Sequence, residues 1–226
     1  MIKRALVVAL CLLNHLVSAQ AATGPAYLRC EYLTDPVGIG TVEPRLSWQL
    51  LAGPRGHRQT AYRLIVSSDE TLLADNKGDL WDTGKVQGRK SSQIVYKGIP
   101  LKAGQCCHWK VHIWNENGDV SAWSRPAHWS VGLLTAEDWR AEFISFRDAS
   151  PVHRSRKELH LPPARHYRKE FRARAGIRRA TLHATALGVH DLYLNGKRVS
   201  DRYFAPGWSD YRKRAYYQSY DVTDLL

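Results

Sequence analysis

Short runs in which apolar and polar residues alternate recur along this chain of 226 residues. The run Leu46-Ser47-Trp48-Gln49-Leu50 alternates, and so do residues 62–66 and 107–113. Successive side chains of a β-strand point to opposite faces, so a period of two predicts a strand with one buried face. The chain is therefore predicted to be all-β.

Turn-forming residues separate these runs. Residues 80–84 and 94–96 read as shorter strands, Asn115-Glu116-Asn117-Gly118 as a turn, and residues 127–131 as the returning strand. Many short strands joined by turns are typical of a β-sandwich. The strands around Trp48 and Trp109, the Asn-Gly turn and Ser121-Ala122-Trp123-Ser124 together resemble a fibronectin type III domain, which we place at residues 24–132.

Residues 133–163 are predicted to be a short helical turn followed by a linker. Thr135 offers a capping hydroxyl group three residues before Asp138, which favours one turn of helix. Residues 148–163 are charged, contain three prolines and lack periodicity, so they read as a loop.

The β pattern resumes at residues 164–226. Tyr167, Lys169 and Phe171 alternate with polar neighbours, and residues 180–186 present one apolar face. Asn195-Gly196 is a strong hairpin signal, and residues 216–220 read as a further strand. These strands are too few for a finished sandwich, and the chain ends on Leu225-Leu226 without a polar tail, so we expect an incomplete jelly-roll β-sandwich here.

Residues 1–21 have the layout of a secretory signal peptide. Lys3 and Arg4 precede an apolar run at residues 5–17, and small residues follow at 18–22. The run is shorter than the roughly 20 residues needed to span a bilayer. We therefore expect a secreted or periplasmic protein with no membrane span after cleavage.

Three cysteines remain beyond the signal segment: Cys30, Cys106 and Cys107. Export would permit a disulfide bond between Cys30 and one of the adjacent pair. Buried thiols are an equally good interpretation, because cysteine is so often found in protein interiors. The sequence leaves both open.

The formal net charge is +12, and eleven basic residues fall within 147–179 against three acids. Such a field attracts nucleic acids non-specifically. No zinc-finger spacing and no RNA-binding signature accompanies it, so a solvated basic linker and strand face is the preferred interpretation and no specific nucleic-acid partner is expected.

Two sets of residues could carry catalysis or metal binding. Cys106-Cys107-His108 with His112 could ligate a metal, but on a strand the two histidines stand roughly 13 Å apart, too far for one zinc ion. The acid pairs Glu31/Asp35, Glu137/Asp138 and Asp221/Asp224 could catalyse glycoside hydrolysis, but each suits a turn, a helix start or a strand end. We therefore expect no metal, no cofactor and no catalytic residue.

One loop is a candidate carbohydrate site. Trp208, Asp210, Tyr211 and Arg212 place aromatic rings beside a carboxylate and a guanidinium group. Sugars stack their apolar faces on such rings and form hydrogen bonds with the charged groups. The alternative is that Trp208 belongs to the core and Tyr211 is a corner residue.

The amino-acid sequence resembles that of bacterial α-L-rhamnosidases of glycoside hydrolase family 78. The resemblance extends over nearly everything after the signal segment, in chain order, and it lies in residues 28–32, 35–39, 44–48, 59–63, 80–86, 109–111, 121–124, 192–199, 205–211 and 218–223. The adjacent Cys106-Cys107 and the arginine-rich segment at 147–179 depart from the family pattern.

The resemblance implies an ancillary part of a secreted enzyme that removes terminal α-L-rhamnose with inversion. The family's catalytic carboxylates lie in an (α/α)₆ barrel, which we expect to be encoded downstream, so this chain alone is expected to be inactive. The implied partners are that barrel and a rhamnose-containing glycan or glycoside. The competing interpretations are a free-standing carbohydrate-binding or adhesion module and a basic nucleic-acid binder.

Overall fold

The computed structural model describes residues 24–51, 53, 55–145 and 164–226. The predicted signal peptide and nearly all of the predicted linker lie outside the described residues. The described part contains one short α-helix, α1 (Glu70–Ala74), and strands β1 (Pro25–Cys30), β2 (Arg45–Leu50), β3 (Ala61–Ser67), β4 (Trp81–Asp82), β5 (Val86–Gln87), β6 (Ile94–Val95), β7 (Cys106–Trp114), β8 (Ala127–Ser130), β9 (Thr181–Thr185), β10 (Tyr193–Leu194), β11 (Lys197–Arg198) and β12 (Tyr217–Asp221). The prediction of an all-β chain is confirmed.

Two antiparallel sheets form the first unit, a sandwich built from β1 to β8. One sheet has the order β1-β2-β6, and the other has the order β4-β3-β7-β8, with β5 also paired to β3. The longest ladder joins β3 and β7 over seven residue pairs, from Ala61↔Trp114 to Ser67↔His108. Every strand of this unit that the alternating pattern predicted is present.

Aromatic and aliphatic side chains fill the space between the sheets. Trp109, Val111 and Ile113 alternate inward along β7 and are almost fully buried, as the period of two requires. Trp48 packs edge-on against Tyr62, with ring centroids 5.1 Å apart. Burying each such side chain stabilises the fold by about 1.5–3 kcal/mol.

A buried glutamine joins this core to the loops that surround it. The Gln59 side chain accepts a hydrogen bond from the Trp48 indole N–H at 3.0 Å and donates to the carbonyl groups of Gly88 and Lys90. Because a buried amide without partners is costly, the two bonds to Gly88 and Lys90 fix the path of residues 88–90.

Helix α1 was not predicted from the sequence. The Asp69 carboxylate accepts a hydrogen bond from the Thr71 backbone N–H at 2.8 Å and caps the helix, while Leu73 is buried. The helix has only about one and a half turns, so its pattern of apolar residues is too short to distinguish it from a loop.

The predicted helical turn after Thr135 is confirmed as a 3₁₀ turn at Ala136–Asp138. The Asp138 carboxylate accepts hydrogen bonds from the backbone N–H groups of Leu134 and Thr135.

Two small sheets form the second unit, residues 164–226. β9 and β12 pair over five residues, and β10 and β11 form a hairpin. Asn195 and Gly196 take φ values of 50° and 77° in its turn, as a two-residue type I′ turn needs. The predicted hairpin and both predicted strands around it are confirmed.

The strand predicted from Tyr167, Lys169 and Phe171 is wrong. Residues 164–173 have no regular secondary structure and are exposed. Alternation alone does not make a strand, because the backbone also needs a neighbouring strand to complete its hydrogen bonds. Within the described part of the chain no strand pairs with this segment.

The second unit lies directly against the first. The Tyr217 hydroxyl group accepts a hydrogen bond from the Leu133 backbone N–H at 2.9 Å and donates one to the Leu133 carbonyl group at 3.1 Å. Gly132 permits this approach, since a Cβ atom there would stand 2.6 Å from the Tyr217 hydroxyl oxygen. The Arg179 guanidinium group adds a hydrogen bond to the Gly104 carbonyl group at 2.9 Å.

Replacing Leu64 by alanine tests whether the β3–β7 ladder forms the centre of the first unit. Leu64 is fully buried, so L64A removes apolar contacts and leaves a cavity, and we expect the free energy of unfolding to fall by about 2–5 kcal/mol. Urea unfolding followed by tryptophan fluorescence measures the change. The control is V120A at an exposed position, which should shift it by less than about 0.5 kcal/mol. Equal effects of the two substitutions would show that Leu64 is not a core residue.

Candidate functional site

The aromatic residues of the predicted carbohydrate loop are open to solvent. Trp208 is 87% exposed and Tyr211 is 40% exposed. The alternative that Trp208 belongs to the core is therefore wrong. An indole ring of this exposure presents its apolar face to any ligand in solution.

Local hydrogen bonds hold the charged residues of the same loop. The Asp210 carboxylate accepts from the Arg212 backbone N–H at 3.1 Å and from its Nε at 3.2 Å. The Asp210 carbonyl group accepts from the backbone of Lys213 and Arg214, and the Ser209 hydroxyl group donates to the Arg214 carbonyl group. The turn is thus closed on itself. The structure brings the four predicted residues together in one loop, with the Arg212 side chain 91% exposed.

A cleft lies between the two units, away from the loop that contains Trp208. This junction cleft has a volume of about 650 Å³, within the range of roughly 300–1,000 Å³ that ligand pockets occupy. Its polar lining comes from β7, β8 and α1 on one side and from residues around β9, β11 and β12 on the other: Glu70, Cys106, His108, His128, Ser130, Arg178, Arg179, Thr181, Arg198, Asp221, Thr223 and Asp224.

Two histidines from neighbouring strands lie on the first-unit side of the junction cleft. The rings of His108 and His128 are 6.1 Å apart. Glu70 lies 3.6 Å from Nδ1 of His108, and Asp35 lies 3.5 Å from Nδ1 of His128. Burial lowers the pKa of His108, and the negative charge of Glu70 only partly opposes that effect.

One acid of the junction cleft, Asp221, has local hydrogen-bond partners. The Asp221 carboxylate accepts from the backbone N–H and the hydroxyl group of Thr223, at 3.0 and 2.6 Å. Burial raises the pKa of Asp221, but the hydrogen bonds from Thr223 outweigh it, so the net pKa falls below the ordinary value. A carboxyl group that stays ionised is a poor general acid. Asp221 is therefore poorly suited to act as the acid in catalysis.

The residues weighed as metal ligands point apart. Cys107 is buried in the core, whereas His112 stacks on Trp123 with ring centroids 4.0 Å apart and lies 4.7 Å from Trp114. Among residues 24–51, 53, 55–145 and 164–226, no group of three or more His, Cys, Asp or Glu side chains could hold a metal ion.

The three cysteines among the described residues are free thiols in the structure. Cys30 and Cys107 are buried, and Cys106 is partly buried. Burial raises the pKa of Cys107 to about 12, so its thiol stays protonated and unreactive near neutral pH. The buried-thiol interpretation is therefore confirmed over the disulfide one for Cys30 and Cys107.

Four of the six acids considered for catalysis have structural partners. Glu31 forms a salt bridge with the Arg45 guanidinium group at 2.5 Å, and hydrogen bonds from Arg45 lower its pKa. The Asp35 carboxylate accepts from the His128 backbone N–H at 2.8 Å. Asp138 caps the 3₁₀ turn described above, and Asp221 bonds to Thr223.

Sequence reasoning missed the junction cleft. Its walls come from residues more than fifty positions apart, such as His128 and Arg179, which no local pattern connects. The available signal was the basic pair Arg178-Arg179 directly before a predicted strand, which composition alone assigns to a solvated basic segment.

None of the helices among the described residues is both long and apolar enough to cross a bilayer.

Two family models match the chain, one for each unit. Residues 25–135 match the Rha78A-like, N-terminal immunoglobulin domain, and residues 175–226 match the α-L-rhamnosidase N-terminal domain. The two matches follow each other in the order in which the two units lie along the chain.

Individual relatives agree with these matches. An α-L-rhamnosidase of Formosa agariphila is 35% identical over 198 residues, which are 87% of this chain and 21% of the relative. The structure of α-L-rhamnosidase from Dictyoglumus thermophilum superposes with a TM-score of 0.78 at 33% identity, over 92% of this chain and 24% of that one. Streptomyces avermitilis α-L-rhamnosidase complexed with L-rhamnose gives a TM-score of 0.52 at 25% identity, over 89% and 20%. The chain thus spans about a fifth of the length of the curated relatives it matches.

Partly buried histidines predict that acid destabilises this protein below neutral pH. Burial lowers the pKa of His108, His112, His183 and His190, so the unfolded chain binds their protons more tightly than the folded one. Their contribution is therefore complete above the ordinary histidine pKa of about 6.5 and is lost as the pH falls below it. We expect the urea midpoint to drop between pH 7.5 and 5.5, a window above the range in which carboxyl groups titrate.

The variant H112F should make this pH dependence shallower, because a phenyl ring can occupy the space between Trp114 and Trp123 without titrating. The matched control W123F alters the same cluster and retains the histidine, so the dependence should keep its slope. A slope unchanged in H112F would show that His112 does not contribute.

Proposed function

The chain belongs to the α-L-rhamnosidase family as its N-terminal region, and we propose that it is a non-catalytic recognition and scaffold segment of a secreted enzyme that hydrolyses terminal α-L-rhamnose from glycosides. The observation that carries the proposal is the ordered match of both units to the N-terminal domains of that family. This chain matches about a fifth of the length of its relatives. We assign catalysis to an (α/α)₆ barrel outside that matched part, as the family resemblance implies.

The hydrogen bonds of the described acids support the assignment of catalysis to another part of the enzyme. Glu31, Asp35, Asp138 and Asp221 each hold a local structural partner, and none lies opposite a second carboxyl group with a raised pKa. Glycoside hydrolysis needs one carboxyl group kept protonated as the acid and another kept ionised. No residue of this chain is therefore assigned a catalytic role.

The proposal also covers the domain boundaries of the chain and its export from the cell. Residues 1–21 act as the signal peptide, 24–132 as a fibronectin type III-like sandwich, 133–163 as a turn and linker, and 164–226 as part of a jelly-roll β-sandwich. Export would place the protein outside the cytoplasm, in the periplasm or the medium.

The loop at Trp208 is proposed as the carbohydrate contact. Trp208 and Tyr211 offer rings for stacking, while Asp210 and Arg212 offer an acceptor and donors for sugar hydroxyl groups. Because the turn is closed by its own hydrogen bonds, these groups are held in place before a ligand arrives.

The exposed Trp208 also favours a second candidate function, a free-standing carbohydrate-binding or adhesion module. Such a module binds glycans without any enzyme part. Glycan binding by this chain alone, at an affinity that an attached catalytic barrel leaves unchanged, would favour it.

The purified chain should not hydrolyse an aryl α-L-rhamnoside above the rate of the buffer. The reason is the lack of a suitably arranged acid pair among the described residues. Release of the aryl group is followed by absorbance, with a full-length family enzyme as the positive control. Turnover that disappears on replacing any acid of this chain would contradict the proposed function.

W208A should weaken binding of a rhamnose-terminated oligosaccharide about tenfold, equivalent to about 1.4 kcal/mol. Calorimetric titration measures the affinity, and the unfolding midpoint should stay constant because the ring is exposed. F171A is the matched control, since it removes another exposed aromatic ring of the same unit and should leave the affinity unchanged. Equal affinities of W208A and the unaltered chain would remove Trp208 from the site.

A further inference from the structure

The junction cleft lies between two separate parts of the chain. Its floor belongs to the first unit, where His108 pairs directly with His128 on the strand face that points away from the buried Trp109. The opposite wall belongs to the second unit and is drawn from residues 178–181 and 221–225. A ligand in the junction cleft would therefore contact both units at once.

Hydrogen bonds fix the second-unit wall of the cleft. Thr181 pairs with Asp221 at the end of the β9–β12 ladder. The Ala180 backbone N–H donates to the Thr223 hydroxyl group at 2.9 Å, and the Val222 backbone N–H donates to the Ala180 carbonyl group at 2.9 Å. The wall is therefore ordered before a ligand arrives, which lowers the entropic cost of binding.

Three polar side chains of this wall are open to a ligand. Within the described part of the chain, the side chains of Arg178, Thr181 and Asp224 have neither a hydrogen bond nor an ion pair. The guanidinium group only donates, the carboxylate only accepts, and the threonine hydroxyl group does both. The hydroxyl groups of a polyol each donate and accept, so they match this set.

The formal charges that line the junction cleft cancel. Three guanidinium groups and three carboxylates contribute to the lining: Arg178, Arg179, Arg198, Glu70, Asp221 and Asp224. Arg198 is already bound to Asp191, and Arg179 donates to the Gly104 carbonyl group. An anionic ligand would meet the carboxylates and a cationic ligand the guanidinium groups, whereas an uncharged ligand avoids both repulsions.

Apolar side chains complete the lining. Val37, Val199 and Leu225 are half-buried and border the same cleft. Ligand pockets usually combine apolar walls with a few polar groups that fix orientation. A sugar ring presents apolar C–H faces as well as hydroxyl groups, so it can use both parts of this lining.

We propose that the junction cleft binds an uncharged saccharide, held by hydrogen bonds with Arg178, Thr181 and Asp224. The preference for an uncharged polyol follows from the cleft itself, and only its identification as part of a glycan rests on the proposed function. The cleft is separate from the loop that contains Trp208, so the chain has two saccharide contacts rather than one.

The test is a calorimetric titration of the W208A chain, which lacks the loop contact, with an uncharged rhamnose-terminated trisaccharide. R178A and D224A should each weaken binding about tenfold, because each removes charge-assisted hydrogen bonds to hydroxyl groups. The matched control is R174A, which removes the same charge from an exposed arginine outside the cleft and should change the affinity by less than about twofold. The urea midpoints of the three variants should agree, since all three residues are exposed.

Each other outcome overturns the proposal. Equal losses in R178A and R174A would show a diffuse basic surface instead of a site. Tighter binding of a trisaccharide that carries a carboxylate, increased further in D224A, would assign the cleft to anions. Affinities unchanged in R178A and D224A, or no binding at all, would show that a saccharide does not occupy the cleft. Hydrolysis of an aryl rhamnoside by the chain would refute the proposed function alone and leave these affinities standing.

Discussion

Two hydrogen bonds between the Tyr217 hydroxyl group and the backbone of Leu133 tie β12 to the end of the first sandwich. The second unit buries so little apolar surface of its own that this junction supplies much of its support. Gly38 and Gly132 make the contact possible, because a Cβ atom at either position would stand within 2.6 Å of Ser219 or Tyr217. The junction also brings together the two walls of the cleft that contains His108 and Arg179.

The sequence was most informative where local chemistry decides the structure. The alternation in β7 follows from burial of one face, and Asn195-Gly196 follows from the positive φ angles that its turn requires. The strand predicted around Tyr167 is absent because its formation does not depend on local chemistry alone. Its alternation satisfies the local rule, but a strand also depends on a neighbour that sequence periodicity does not reveal.

The two candidate sites also differ in how far the sequence could predict them. Trp208, Asp210, Tyr211 and Arg212 are adjacent in the chain, so their grouping in one loop could be predicted, and the exposure of Trp208 excludes a core role. The junction cleft depends on residues far apart in the chain, such as His128 and Arg179, which line it from the two units. Patterns along the sequence do not carry that information.

The distribution of apolar burial assigns different tasks to the two units. The first sandwich fills its own core, with Trp48, Trp109 and Trp129 almost fully buried. The second unit leaves most of its rings exposed, and the Arg198 guanidinium group, held by Asp191, stacks on one of them, Tyr203. Because the described residues of this unit bury so little apolar surface, its position depends on contacts with the first sandwich. The hydrogen bonds of Tyr217 with Leu133 and of Arg179 with Gly104 supply those contacts.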